Sequence, residues 1–186
     1  PKVSGDLIEA GIFSVLLSIG AVLLYIWVRF EWQFGLGAVI ALIHDVLITI
    51  GMFSLTRLEF NLNIIAALLT IVGYSLNDTV VVYDRIRENL GKYRKMELPE
   101  LLNHTLNETL SRTTMTSFTT IIALFALFYF GGEVIHGFTA AMIWGIFVGT
   151  YSSIFIASPV LMWFDLNREP TAKPEPHKEH IPEQFR

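Results

Sequence analysis

Apolar residues gather in five long runs, at 7–28, 34–55, 62–83, 113–130 and 138–164, separated by short polar breaks. A helix rising about 1.5 Å per residue needs about 20 such residues to cross a hydrocarbon core roughly 30 Å thick, and the five runs reach or approach that length. The pattern predicts an all-α, polytopic transmembrane helix bundle with five spans. Asp78 breaks the third run, with Asn77 before it and no basic side chain inside the run. A carboxylate at that depth costs roughly 2.5 to 3.5 kcal/mol on insertion scales and persists mainly where it faces a bundle interior or a watery path. Asp78 is therefore the first functional candidate.

Composition supports the membrane assignment. The 186 residues are 53% hydrophobic, with four Trp and fourteen Phe, and a mean hydropathy of +0.53 is too high for an ordinary soluble domain of this size. A net charge of -4, with the basic residues confined to the breaks, argues against a nucleic-acid surface. Without cysteine there are neither disulfides nor thiolate metal sites. Eleven of the thirteen basic residues fall on one side of the five spans, and only Lys2 and Arg57 on the other. By the positive-inside bias the amino terminus is outside, while the loop at 84–112 and the tail from Asp165 are cytoplasmic. An odd number of spans beginning outside, on a chain that opens Pro1-Lys2-Val3 without a signal-peptide pattern, predicts a piece of a longer protein. Residues 1–6 then end a missing external domain; a cleaved precursor is the alternative.

The external connections at 56–61 and 131–137 are too short to form a domain. At 97–112, Leu98, Leu101, Leu102, Thr105, Leu106 and Leu110 recur at helical spacing against Glu97, Glu100, Asn103, Asn107 and Glu108, with Pro99 near the start. This predicts an amphipathic helix lying at the cytoplasmic interface, either packed there or docking a partner. The tail at 169–186 has four prolines and little to bury, so it is expected to be disordered. His177 and His180 lie in it without a scaffold, which favours solvation over metal binding. No metal site or cofactor is expected.

Small residues at every fourth position, Ala141, Gly145, Gly149, Ser153 and Ala157, mark a helix-packing face on the last span, and Pro159 predicts a kink. Ala10, Ser14 and Ser18 repeat that pattern on the first. His44 and Asp45 sit mid-way along the second span but point about 100° apart, which leaves a buried hydrogen bond and a relay role equally open. Arg112 opens the fourth span, followed on its face by Thr113, Thr116 and Thr120. It either snorkels to the interface or pairs with Asp78 when that group is ionised. A carboxylate moving between burial and a guanidinium exchanges protons as the conformation changes. One charge crossing 100 mV is worth about 2.3 kcal/mol, enough to drive a helix rearrangement. Asp84, Arg85, Arg87 and Glu88 read as an interfacial charge cluster that could also lock the helix end. No GxxxxGK, HExxH or GxSxG motif occurs, so an enzyme is not expected.

The stretches HDVLITIGMFSL, NLNIIAALLTIVGYSLNDTVVVYDRIREN and LNETLSRTTMTSFTTIIALFALFYFGGEVIHGFTAAMIWGIFVGTYSSIFIASPVL closely resemble the SecF family. These are the smaller membrane subunits of the bacterial SecDF complex, within the resistance-nodulation-division superfamily. The resemblance covers nearly all of 2–167 and implies spans two to six of a six-span subunit in the plasma (inner) membrane. It further implies a proton-motive-force-coupled accessory role in protein export, with SecD, the SecYEG channel, a YajC-like accessory subunit and a translocating preprotein as partners. Carried over by position, the family's proton-path carboxylate falls on Asp78 and its functional arginine on Arg112, with Asn77, Thr116 and Asp45 as weaker supporting groups. A small-molecule or lipid exporter of the same superfamily and a passive translocon scaffold are the rival readings.

Overall fold

The computed structural model describes residues 2–57, 61–164 and 166, with backbone alone at 2–4, 6–8, 15 and 19. The tail at 169–186, with His177 and His180, lies outside the described residues. The elements are α1 (Lys2–Arg29), α2 (Trp32–Thr56), α3 (Leu62–Lys92), α4 (Leu98–Phe130) and α5 (Glu133–Ser152). A π-helical turn (Ser153–Ala157), the short α6 (Ser158–Val160) and a 3-10 turn (Leu161–Trp163) complete the last span. The expected all-α class holds, with no strand among the described residues. Five helices are long and apolar enough to cross a membrane, and the chain is a multi-pass membrane protein.

Helix ends follow local chemistry. The Asn61 side chain accepts a hydrogen bond from the Ile64 amide at 3.1 Å and caps α3. Pro99 stands in the first turn of α4, where its missing N–H costs nothing. The predicted kink at Pro159 takes the form of a π turn just before it: a proline cannot donate to the carbonyl four residues back, and the wider turn re-pairs the chain locally. Ser158 Oγ donates to the Ser153 carbonyl at 3.1 Å inside that turn.

The helix α4 runs unbroken from Leu98 to Phe130, so the segment read as a separate interfacial amphipathic helix continues directly into the fourth apolar run. Its 33 residues extend about 50 Å, and the 31 of α3 about 46 Å, well beyond a hydrocarbon core. Both therefore overhang at the end that carries Arg85, Arg87 and Lys92, called here the basic end. Leu101 and Leu102 are buried there against Ile86 and Leu90 of α3. A stripe that suits a lipid interface suits a protein partner equally well, and α3 supplies it.

Packing centres on α3, which touches each of the other long helices. Helices α3 and α5 run parallel with a constant step. A Cβ on Gly145 would run into Ile71, one on Gly149 would stand 3.0 Å from Ser75 Cβ, and Tyr83 Oη donates to the Ala157 carbonyl at 2.9 Å. Ala141, Gly145, Gly149, Ser153 and Ala157 all lie buried on this line, where small side chains let the backbones approach. On α1, by contrast, Ala10 is exposed and the Ser14 hydroxyl turns back to its own helix, at 2.7 Å from the Ala10 carbonyl. The apolar core is split in two. One cluster at the basic end gathers Ile26, Phe30, Phe34, Tyr83, Ile86, Leu101 and Leu161. The other, toward the opposite end, gathers Phe53, Ile64, Leu68, Ile71, Met142 and Ile146.

Candidate functional site

Between the two apolar clusters lies a buried polar layer. Asp45 and Thr49 come from α2, Ser75, Asp78 and Thr79 from α3, Thr113 and Ser117 from α4, and Ser152 and Ser153 from the last span. A polar group in such a place must be hydrogen-bonded or has a different purpose. Its members divide on that criterion.

Asp45 is fully buried at 0% exposure and well partnered. His44 Nδ1 lies 3.0 Å from Asp45 Oδ1, and the Ser75 hydroxyl donates a short hydrogen bond to Oδ2. The structure thus contains the His44 to Asp45 hydrogen bond that the sequence left open. Ser75 also ties α2 to α3 across the layer. The sequence gives no sign of that role, because a serine in a transmembrane helix also serves as a small packing residue.

Asp78, at 4% exposure, is different. Its Oδ2 is buried and has no hydrogen-bond partner among the described residues. The buried hydroxyls of Thr49 and Thr113 share that condition. Asp78 stands three residues beyond Ser75, on the same face of α3. Arg112 of α4 is the basic group whose charge acts on it, and no direct ion pair joins them among the described residues. The carboxylate can be balanced by Arg112 when charged, or carry its own proton when neutral.

The remaining sequence candidates lie elsewhere. Asn77 is exposed, on the face of α3 turned away from the layer. Thr116 is exposed as well, and its hydroxyl donates to the Thr113 carbonyl of its own helix at 2.9 Å. Thr113, singled out only as a neighbour of Arg112, is the buried threonine. Among the described residues no group of His, Asp and Glu has the arrangement of a metal site.

Beyond the polar layer, toward the basic end, lies a cleft between α3 and α4, lined by Val81, Asp84, Arg85, Glu88, Glu108, Thr109 and Arg112. Arg85 Nε meets Glu108 Oε2 at 2.8 Å, Arg85 Nη1 meets Glu88 at 2.6 Å, and Asn89 Nδ2 reaches both Glu108 Oε2 at 2.8 Å and Thr105 Oγ1 at 2.9 Å. Arg29 holds Asp84 at 3.1 Å from α1. The cluster at 84–88 is thus a clasp between helices. Glu108 was expected on the polar outer face of an interfacial helix, and the overhang of α3 turns that face into a contact.

Comparison with known proteins points to one family. The family described as "Protein export membrane protein SecD/SecF, C-terminal" matches residues 1–167. The chain belongs to this SecD/SecF family. Protein translocase subunit SecF of Rhodobacter capsulatus is 54% identical over 173 residues, which are 93% of this chain and 52% of that protein. SecF of Rickettsia conorii is 56% identical over 169 residues, 91% of this chain and 54% of the relative. The chain thus spans about half the length of the SecF proteins it matches. A crystal structure of SecDF, a translocon-associated membrane protein from Thermus thermophilus, superposes with a TM-score of 0.83 at 48% identity, over 88% of this chain and 23% of that one. SecDF in a super-membrane-facing form gives 0.79 at 50% identity, over 85% and 22%.

Proposed function

We propose that this chain is the proton-responsive part of a SecF-type accessory subunit, which uses the proton motive force to assist preprotein export. The observation that carries this reading is Asp78: a carboxylate buried in a polar layer, with one oxygen unpartnered and Arg112 acting on it from a separate helix. A group held in that way can change charge without breaking a hydrogen-bond network, and the change alters the pull between α3 and α4. Membership of the SecD/SecF family and identity of 54% to a translocase subunit support protein export over small-molecule or lipid export.

In this reading Asp78 takes up the proton and Arg112 is its counter-charge. Thr116 and Asn77 are outer supports that meet a partner subunit, and Asp45 fixes α2 to α3. The basic end is cytoplasmic, the amino-terminal end of α1 faces outside, and the membrane is the bacterial inner membrane. SecD is the partner against which the exposed sides of α1 and α4 lie, next to a SecYEG channel and a YajC-like subunit. The spans are 7–28, 34–55, 62–83, 113–130 and 138–164, followed by a cytoplasmic tail at 169–186. Lipid and protons, rather than a cofactor, are the small partners.

The test is membrane-potential-dependent preprotein export by the full-length complex carrying Asp78→Asn, with SecD and SecYEG pull-downs alongside. Lost export with intact assembly is expected. Unchanged export would leave the chain as a passive scaffold.

A further inference from the structure

Helices α3 and α4 are antiparallel, so each turn toward the carboxy terminus on one faces a turn toward the amino terminus on the other. The contacts Asn89 to Thr105 and Arg85 to Glu108 fix the register at the basic end. Continued inward by one turn, the register sets Arg112 opposite Val81, both lining the cleft. One turn further in lies Asp78. The cleft encloses about 370 Å³; Arg112 lines it, Asp78 lies one turn of α3 beyond Val81, and the Arg85 to Glu108 pair bridges its walls toward the basic end.

Resting on the proton-coupled reading of Asp78, we infer that the Arg85 to Glu108 pair is the inner gate of that site, and that Glu108 becomes the partner of Arg112 when Asp78 is protonated. Arg112 is exposed and makes no hydrogen bond or ion pair among the described residues. Glu108 lies four residues away on the same helical face, within reach of a long side chain. Every charge keeps a partner of opposite sign in both states. With Asp78 ionised, Arg112 answers it while Arg85 holds Glu108 and Glu88 together. With Asp78 neutral, Arg112 turns to Glu108, and Arg85 keeps Glu88 through Nη1. No charge is left without a partner in either arrangement.

The other groups facing the pair suit this exchange. Asp84 is occupied by Arg29 from α1, while His104 Nε2 stands 3.3 Å from Glu108 Oε1 from the same helix. Asn89 remains as a neutral donor to Glu108 and braces it through the swap. Once the gate opens, the Asp78 O–H bond breaks, its proton passes to solvent in the cleft, and Arg112 returns to the carboxylate. Glu108, Arg85 and Asn89 are positioning residues, since none of them carries the proton.

The chain has no cysteine, so a single reporter can watch the cleft directly. In a full-length complex otherwise free of cysteine, Val81→Cys is labelled by a membrane-impermeant maleimide from the basic end. Glu108→Gln is expected to speed labelling by about tenfold, as loss of a charge-assisted contact would. Arg85→Lys, which keeps the charge but not the two-armed fork, should speed it by less. The exchange of Arg85→Glu with Glu108→Arg should restore slow labelling. Asp78→Asn, fixed in the neutral state, should also speed labelling, with no further gain when combined with Glu108→Gln. Labelling indifferent to both Glu108→Gln and Arg85→Lys, in complexes that still retain SecD, would overturn the gate. So would full additivity of Asp78→Asn and Glu108→Gln. Normal export by Asp78→Asn beside a labelling response would instead remove the motor reading and leave the gate standing.

Discussion

Two carboxylates share the buried polar layer and are treated in opposite ways. Asp45 is enclosed by His44 and Ser75, both of its oxygens engaged. Asp78, one turn from Ser75 on the same face, has an oxygen left over. Burial alone is therefore no guide to role. A carboxylate whose oxygens are all spoken for is a fastener, and removing it strands its partners. One that keeps a free oxygen beside a movable cation is cheap to neutralise, and that suits a group meant to change state. Under the proposed proton coupling the layer needs both, because the mobile group works only if its neighbours stay fixed.

The largest effect expected is functional. Asp78→Asn should bring potential-dependent preprotein export down to the level seen without the complex, while SecD and SecYEG still co-purify; residual export above that level would blur the distinction between the two carboxylates. Next comes a matched pair of substitutions read by thermal unfolding of the purified complex. Asp45→Leu strands His44 and Ser75 and should cost about 1 to 3 kcal/mol. Asp78→Leu strands no hydrogen-bonded partner and should leave the midpoint nearly unchanged. Equal destabilisation would erase the comparison. The Gly145→Leu change forces a side chain into Ile71, and overpacking of this kind costs typically about 1 to 3 kcal/mol. Because Gly145 packs one turn from the Ser75 contact, its effect should be less than additive with Asp45→Leu when the two are combined. The smallest effect belongs to Asn77→Ala. That side chain is exposed, so stability should move by no more than about 0.5 kcal/mol, and export should fall far less than with Asp78→Asn.

Five long apolar helices and a buried carboxylate at Asp78 were legible in the sequence for one reason: a long apolar run has few outcomes, and a charge inside it is conspicuous. The small-residue line on the last span was readable too, because four-residue spacing on a helix defines a face whatever the partner. What stayed hidden depended on the partner. Ser75 reads as a spacer until Asp45 is seen across from it. Glu108 belongs to the polar side of an amphipathic pattern, and only the length of α3 converts that side into a contact. Thr113 and Thr116 are alike in sequence, yet one is buried and the other exposed, because α4 meets the bundle on one side alone. The continuity of α4 through Arg112 was hidden by the charge itself, which resembles a membrane boundary but lies within an unbroken helix.

The parallel step between α3 and α5 has a mechanical consequence. Interlocking repeats four residues long, seated on backbone that almost touches, behave like a keyed shaft: sliding by one residue would drive Ile71 out of the recess at Gly145 and into a bulkier neighbour. The two helices must therefore translate together or remain still. Compliance is left to α4, most of whose side chains are exposed; its upper half meets the bundle along one strip, through the Ser117 and Thr150 hydroxyls at 2.6 Å, Leu124 in the second apolar cluster and the Phe128 ring stacked on His136. Proton arrival at a rigid spindle would then be read out as the swing of a single arm.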